Sequence, residues 1–273
     1  MNDSETKAFA PGRDILTEIY AHKRTEITDR RAVRSLNAVR ETARTQGPAR
    51  GFEAALRRKL ARGEAGVIAE CKKASPSKGV MREPYIIEEI ADSYARGGAT
   101  CLSVLTDARY FHGADEHLVA ARRACALPVL RKDFLCDAYQ VYESRALGAD
   151  CVLLIVAGLH DSLLQDLAGV ACDLGMDVLL EVHDREELER ALRLRLPLLG
   201  INNRDLKRFV TSVETTLELL KDVPSDRIVI TESGINRRED VVRLRSYDVN
   251  CFLVGEAFMR SADPGSKLAE LFK

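Results

Sequence analysis

Eight short apolar runs, at residues 67–71, 101–106, 128–133, 151–156, 177–182, 198–203, 228–232 and 251–255, recur along this chain with an amphipathic stretch between each and the next. Several, such as Cys151-Val152-Leu153-Leu154, are almost continuously hydrophobic. Strands covered on both faces read that way, because neither face meets water. The intervening segments read as helices. Pro84 to Arg96 places Ile86, Ile87, Ile90, Ala91 and Tyr94 on one face, with Pro84 in the first turn and Gly97-Gly98 ending it. Asp137 opens a helix that ends at Gly148, and Asp161 caps 162–174. Asp184 caps 185–195 with Glu187 three residues on, and Asn236 caps 237–246. Eight strand–helix units predict an α/β fold, a (β/α)8 TIM barrel over residues 66–273. An open doubly wound sheet would show fewer strands or a Gly-x-Gly-x-x-Gly turn, and the chain has no such turn.

The first 65 residues do not follow the repeat. Asp14 to Arg44 is helical in pattern, with Ile15, Leu16, Ile19, Tyr20, Ile27, Val33 and Leu36 as apolar contacts. Arg50 to Arg62 reads as a further helix closed by Gly63. This segment is expected to form an N-terminal helical extension packed on the barrel, one structural domain with it. It is either a solvated helical face or a cap across one barrel mouth.

Lys and Arg number 41 against 42 Asp and Glu, so bulk charge points to neither nucleic acid nor an anionic membrane. The seven cysteines are odd in number, lack a Cys-x-x-Cys pair and sit mostly in apolar runs. That reads as reduced core thiols of a cytoplasmic protein. The N-terminus is polar without a signal core, and no apolar stretch nears the roughly 18 residues a membrane span needs.

Barrel enzymes gather their chemistry at the C-terminal ends of the strands. Here those ends carry Glu70 and Lys72, then Arg131-Lys132-Asp133-Phe134, then Glu181. Asn202-Asn203-Arg204-Asp205, Thr231-Glu232-Ser233-Gly234 and Gly255-Glu256 follow. Glu70 and Lys72, two apart, project to one side of a strand. Opposite charges at the end of an apolar strand are expensive to bury without a purpose. The Ser75-Pro76-Ser77-Lys78-Gly79 loop offers hydroxyls, amides and a cation, which suits a phosphate or carboxylate. Gly234 and Gly255-Glu256 follow strands seven and eight, where barrels hold phosphate. Singly, each has a plainer account. Lys132 can snorkel, Glu181 can start a helix, Glu232 can form a structural ion pair, Asn202 can bond backbone, and the glycines can simply turn. Together at one barrel end they make a charged bowl on an apolar core. His112, His117, His160 and His183 lack metal-ligand spacing, so no metal is expected.

The string Glu70-Cys71-Lys72-Lys73-Ala74-Ser75-Pro76-Ser77-Lys78-Gly79 resembles the signature of the indole-3-glycerol-phosphate synthase family. Ser103-Val104-Leu105-Thr106-Asp107, Tyr110-Phe111-His112-Gly113 and Arg131-Lys132-Asp133-Phe134 match in order and spacing. So do Gly200-Ile201-Asn202-Asn203-Arg204-Asp205-Leu206 and Glu232-Ser233-Gly234-Ile235, and Ile15-Leu16 to Ala21-His22-Lys23-Arg24 is similar to the family's extra helix. The resemblance covers almost the whole chain. It implies a barrel with an N-terminal extension that closes the indole ring in tryptophan biosynthesis. The implied substrate is 1-(2-carboxyphenylamino)-1-deoxyribulose 5-phosphate, and the products are indole-3-glycerol phosphate, carbon dioxide and water. No cofactor or metal is implied.

By this resemblance Lys132 is the general acid toward the ribulose carbonyl, Lys72 places the substrate carboxylate and can serve in dehydration, and Glu181 is the general base. Glu70, Asn202, Glu232 and Ser233 orient lysines and substrate hydroxyls. Ser75, Arg204, Gly234, Gly255 and Glu256 hold the phosphate. Two features depart from the family. Glu256 stands where serine is common, so its side chain is expected to turn away and leave only its N–H toward the ligand. Leu194-Arg195-Leu196-Pro197 replaces the usual small turn. Some relatives carry a second barrel; the expectation here is a monofunctional chain, a monomer or weak homodimer. Two other readings exist. A phosphoribosylanthranilate isomerase-like enzyme needs a cysteine–aspartate pair, but Cys71 points away from Glu70 and Lys72. A binding subunit without turnover would have no use for both lysines and all three glutamates.

Overall fold

The eight apolar runs become eight parallel strands of a closed barrel: β1 Gly66–Cys71, β2 Cys101–Leu105, β3 Val129–Lys132, β4 Cys151–Ile155, β5 Asp177–Val182, β6 Leu198–Asn202, β7 Ile228–Glu232 and β8 Cys251–Val254. The computed structural model describes residues 15–205 and 210–273; Asp14 and Leu206, used in the sequence reading, lie outside them. Each strand pairs with the next, and β8 returns to β1. Helices cover the outside and side chains fill the inside, so most strand residues are fully buried. The register brings the polar strand ends level. Leu105 lies opposite Lys132, Ile155 opposite Glu181, and Asn202 opposite Glu232. A short ribbon, Ala74–Ser75 with Gly79–Val80, folds the Ser-Pro-Ser-Lys loop back at this same end.

Some helix boundaries move for identifiable reasons. The helix expected from Pro84 runs Ile87–Gly97. Arg82 ties the segment before it to the carbonyls of Ser261 (2.7 Å) and Ala262 (3.1 Å), which leaves Pro84 in a loop. The expected 162–174 helix runs Asp161–Asp173 and is capped by His160, whose Nδ1 accepts from the Leu163 N–H at 3.2 Å. Asp161 is drawn instead to Arg190 and Arg193. Asn236 does not cap the helix Arg238–Arg245. Asp240 reaches back and accepts from the N–H groups of Asn236 and Arg237, both at 2.9 Å. Asp184 does cap Arg185–Leu192, which ends three residues early. Its Glu187 accepts from the His183 N–H at 2.8 Å rather than closing a reciprocal box with Asp184.

The single helix expected over 14–44 is two: α1 Ile15–Val33 and α2 Leu36–Thr45, followed by α3 Phe52–Leu60. Ser35 is extended and its hydroxyl accepts from the Ala38 N–H at 3.3 Å, which starts α2 in a new direction. Val33 is therefore 91% exposed and makes no core contact. Ile15 and Ile19 pack with Tyr110, Phe111 and Phe134; Ile27 packs with Val39 and Tyr139.

One charged contact fastens α1 to the strand ends. Lys23 is 1% exposed and lies 3.0 Å from Asp107 and 2.9 Å from Asp133, both equally buried. Burial works against its charge, but Asp133, Asp107 and Glu26 prevail and hold it as the ammonium. Burial likewise pushes Asp133 up, yet Lys23 and Arg131 bring it down to about 2. Tyr20, one turn earlier on α1, packs edge-on against Phe134 and lies over Gly158. A Cβ at Gly158 would overlap the Tyr20 ring. Gly158→Ala is therefore expected to lift α1 locally and cost about 1–3 kcal/mol, read as a lower thermal midpoint. An unchanged midpoint would mean that α1 is not seated there.

Candidate active site

At the C-terminal end of the barrel lies a cavity of about 580 Å³. All the residues singled out from the sequence as catalytic or phosphate-holding line it: Glu70, Lys72, Ser75, Lys132, Glu181, Asn202, Arg204, Glu232, Ser233, Gly234, Gly255 and Glu256. Parallel strands in register place every C-terminal residue on one rim, and alternation decides which of them face inward.

Lys132 sits at the centre, its ammonium 3.1 Å from Glu181 Oε2 and 3.5 Å from Glu232 Oε2. Desolvation opposes its charge, but Glu181, Glu232 and Glu70 outweigh it and raise the lysine's pKa. The two glutamates diverge. Burial pushes Glu181 up, but Lys132 and His183 pull it well below the usual carboxylate range. Its Oε1 also accepts from Asn202 Nδ2 at 3.1 Å. Glu232 is raised to about 8, by burial first and the Glu181 charge second. Its Oε1 is buried and has no hydrogen-bond partner. Gly200 makes room for it, since a Cβ there would overlap that carboxylate. The site thus holds one carboxylate firmly ionised beside one that is protonated more readily. That separation is how acid and base roles are divided between like groups.

On the opposite wall Lys72 pairs with Glu70. Cys71 between them is fully buried and faces away from the cavity. Gly255 lies against Glu70, where a Cβ would overlap its carboxylate. Ser233 adopts φ +66°, a left-handed conformation unusual for a residue with a side chain, and Gly234 follows at +82°. The turn aims the Ser233 hydroxyl at Asn202 Oδ1, to which it donates at 2.9 Å.

The remaining polar groups form a second cluster toward the rim. Ser75 Oγ is buried without a partner. Arg204 donates to Ser77 Oγ at 2.7 Å. Glu256 does not turn away as expected from the sequence. Its carboxylate lies 3.5 Å from Lys78, 3.6 Å from Arg204 and 3.2 Å from Arg260, because three cations converge on it.

The sequence gives Ile15, Leu16 and Ile19 as apolar contacts and offers the extension as a cap across one barrel mouth, but it does not mark the apolar wall of the site. Ile15, Leu16 and Ile19 of α1 line the cavity with Leu105, Phe111 and Phe134. Phe111 and Phe134 stand inside the quoted motifs, but side chains at loop starts give no periodic signal. Lys23 and Asp107 stand inside the quoted motifs and His183 is weighed only as a metal ligand; the sequence gives none of the three a role in the site. Among the described residues no group of His, Cys, Asp and Glu has the geometry of a metal site. No helix among them is long and apolar enough to cross a membrane.

A model of the indole-3-glycerol phosphate synthase family matches residues 16–271. A protein of Leptothrix cholodnii named indole-3-glycerol phosphate synthase is 60% identical over 259 residues, 95% of this chain and 99% of that one. One of Acidithiobacillus ferrooxidans bearing the same name is 58% identical, over 95% of this chain and 98% of its own length. Among solved structures, the tryptophan synthase alpha subunit of Legionella pneumophila superposes with a TM-score of 0.62 at 13% identity, over 82% of this chain and 97% of that one. A 3-hexulose-6-phosphate synthase of Salmonella typhimurium gives 0.62 at 13%, over 76% and 96%. At such identities the likeness shows the barrel fold alone.

Proposed function

We propose, from the premise that this chain belongs to the indole-3-glycerol phosphate synthase family, that its cavity closes the indole ring with Lys132 as the general acid. The activity is that family's carboxy-lyase reaction in tryptophan biosynthesis, on a phosphorylated small molecule. Ring closure, decarboxylation and dehydration of 1-(2-carboxyphenylamino)-1-deoxyribulose 5-phosphate give indole-3-glycerol phosphate. The observation that carries the roles is the placement of Lys132 between Glu181 and Glu232 at the cavity's centre.

When an aromatic carbon attacks the ribulose carbonyl, negative charge develops on its oxygen. A developing alkoxide is more basic than even a strongly held ammonium, so the proton passes from Lys132 as the carbon–carbon bond forms. Lys72, across the cavity with Glu70, places the substrate carboxylate and is suited to assist departure of the hydroxyl in dehydration. The benzene ring regains aromaticity as the carboxylate leaves as carbon dioxide, and Glu181 takes up the proton that the new ring loses when its hydroxyl departs as water. Asn202 and Ser233 orient Glu181 and the sugar hydroxyls through their mutual hydrogen bonds. The α1 residues with Phe111 and Phe134 supply an apolar wall for the aromatic ring.

The phosphate belongs in the rim cluster, against Ser75, Arg204 and the backbone of Gly234, Gly255 and Glu256. Arg204→Ala is expected to raise KM about tenfold to hundredfold with a smaller effect on kcat, since a phosphate clamp contributes ground-state and transition-state binding alike. Fluorescence of the indole product, followed against substrate concentration, tests both the activity and this assignment. An unchanged KM would place the phosphate elsewhere, and no product from folded protein would remove the proposal.

We read residues 1–65 as an extension of the barrel at 66–273 and the chain as a cytoplasmic monomer or weak homodimer. Among the described residues, the exposed large apolar side chains, Val33, Val80, Ile86, Val210, Val242 and Tyr247, do not gather on one element, and all seven cysteines are free. Sedimentation at micromolar concentration and cell fractionation test these readings.

A further inference from the structure

Behind the cavity, and outside its lining, His183 stands between two carboxylates. Its Nδ1 lies 3.0 Å from Glu187 Oε2, and its Nε2 lies 3.3 Å from Glu181 Oε1. The side chain is 12% exposed. Nδ1 is in hydrogen-bond geometry with Glu187, whereas Nε2 makes no hydrogen bond and meets Glu181 at ion-pair distance; a carboxylate beside each nitrogen favours the imidazolium. The ring is also fixed in place. Glu187 accepts the His183 backbone N–H at 2.8 Å with the same oxygen that faces Nδ1. The local sequence explains the arrangement: Glu181 is next to last on β5, His183 directly follows the strand's end, and Glu187 comes from the first turn of the following helix.

We propose that His183 is a positioning residue for Glu181: its imidazolium, oriented by Glu187, holds the Glu181 carboxylate against Lys132 from behind the site. The inference rests on the role given to Glu181 above. His183 touches no cavity-lining surface of its own, so it acts only through Glu181. Glu181 is faced by Lys132 from β3, Asn202 from β6 and Glu232 from β7, with Tyr20 of α1 nearby. Among these, Lys132 and His183 are the cations that pull its carboxylate down. His183 itself is raised to about 10: burial opposes its charge, but Glu181 and Glu187 overcome it.

The test compares His183→Gln, His183→Arg and Glu181→Gln, each checked for wild-type circular dichroism. His183→Gln retains a donor without the charge. Its kcat is expected to fall about tenfold to hundredfold, as for a displaced catalytic group, with KM nearly unchanged. The acid limb of the kcat–pH profile should move up by about one unit or more, because Glu181 loses an opposite charge within contact distance. His183→Arg keeps the charge and should leave the limb near its wild-type position. If His183→Gln fails to fold, Glu187→Gln replaces it, with the same direction expected. A fall in kcat with an unmoved limb, or an unchanged kcat, overturns the proposal. Glu181→Gln separates the two failures. If it retains wild-type turnover, the role of Glu181 itself is wrong; if it loses turnover while His183→Gln behaves as wild type, only the part given to His183 is.

Discussion

Lys132→Met is expected to lower kcat by about three orders of magnitude or more, near the upper end of what a positioned acid contributes, while substrate still binds. The argument is geometric. Lys132 is the cation at the cavity's centre, bracketed by Glu181 and Glu232. The rim cluster that is read as the phosphate site, and Lys72 on the opposite wall, do not depend on it. Removing the proton donor therefore removes an interaction made chiefly in the transition state, so kcat and kcat/KM should fall together. Steady-state kinetics by product fluorescence read this directly. A rise in KM with kcat preserved would make Lys132 a binding group rather than the acid.

The second large effect concerns stability. Lys23→Met should cost about 3–5 kcal/mol, because Asp107 is left as a buried carboxylate without its cation and Asp133 keeps only Arg131, at 3.5 Å. For a chain of this size that corresponds to a thermal midpoint lower by on the order of 10 °C. The effect carries a pH signature. In the wild type Asp133 is held at about 2, below its unfolded value of about 3.9, so it contributes stability above that value that is lost as pH falls through about 2. Without Lys23, burial is opposed only by Arg131 and the Thr106 hydroxyl, so the Asp133 pKa rises from its wild-type value. The variant loses stability that the ionised carboxylate gives the wild type, and protonation relieves the difference. The deficit against wild type should narrow as pH falls from 7 to 4. Differential scanning calorimetry at both values is the check, and a deficit that is small or independent of pH would show that the buried pair is not what fastens α1.

Asp133 and Arg131 flank Lys132, so the same pin bears on function. Lys23 on α1 grips the end of β3 one residue from the proposed acid, and Asp107 also accepts the Tyr110 N–H at 2.7 Å, which starts the turn carrying Phe111. The N-terminal helix therefore does two things: it supplies apolar lining through Ile15, Leu16 and Ile19, and it holds the strand ends that bear the chemistry.

The barrel and its polar rim were legible because their signals are local. A buried parallel strand is a short apolar run, and the residue at which polarity returns marks its C-terminal end. Those strand ends alone gather Glu70, Lys132, Glu181, Asn202 and Glu232. What was not legible depends on partners distant in sequence. Nothing near Lys23 announces Asp107 or Asp133. Caps slipped where two acceptors compete: Arg190 and Arg193 occupy Asp161, so His160 caps instead. Glu256 was expected to turn from the ligand site because a carboxylate beside phosphate is unfavourable. The side chain instead follows Lys78 and Arg204, two cations that its own segment does not contain. His183 carries no metal-ligand spacing, and its approach to Glu181 depends on how the chain turns after β5, which the sequence does not show.

The measurement that tests the central claim most directly is a substrate titration of Lys132→Arg in which affinity and indole fluorescence are read from the same samples. Arginine keeps a cation between Glu181 and Glu232 but does not release a proton in a protein. An acid at Lys132 predicts substrate bound with nearly wild-type affinity and no measurable product. Turnover at or near the wild-type rate would contradict it, and would mean that the charge at this position matters and its proton does not.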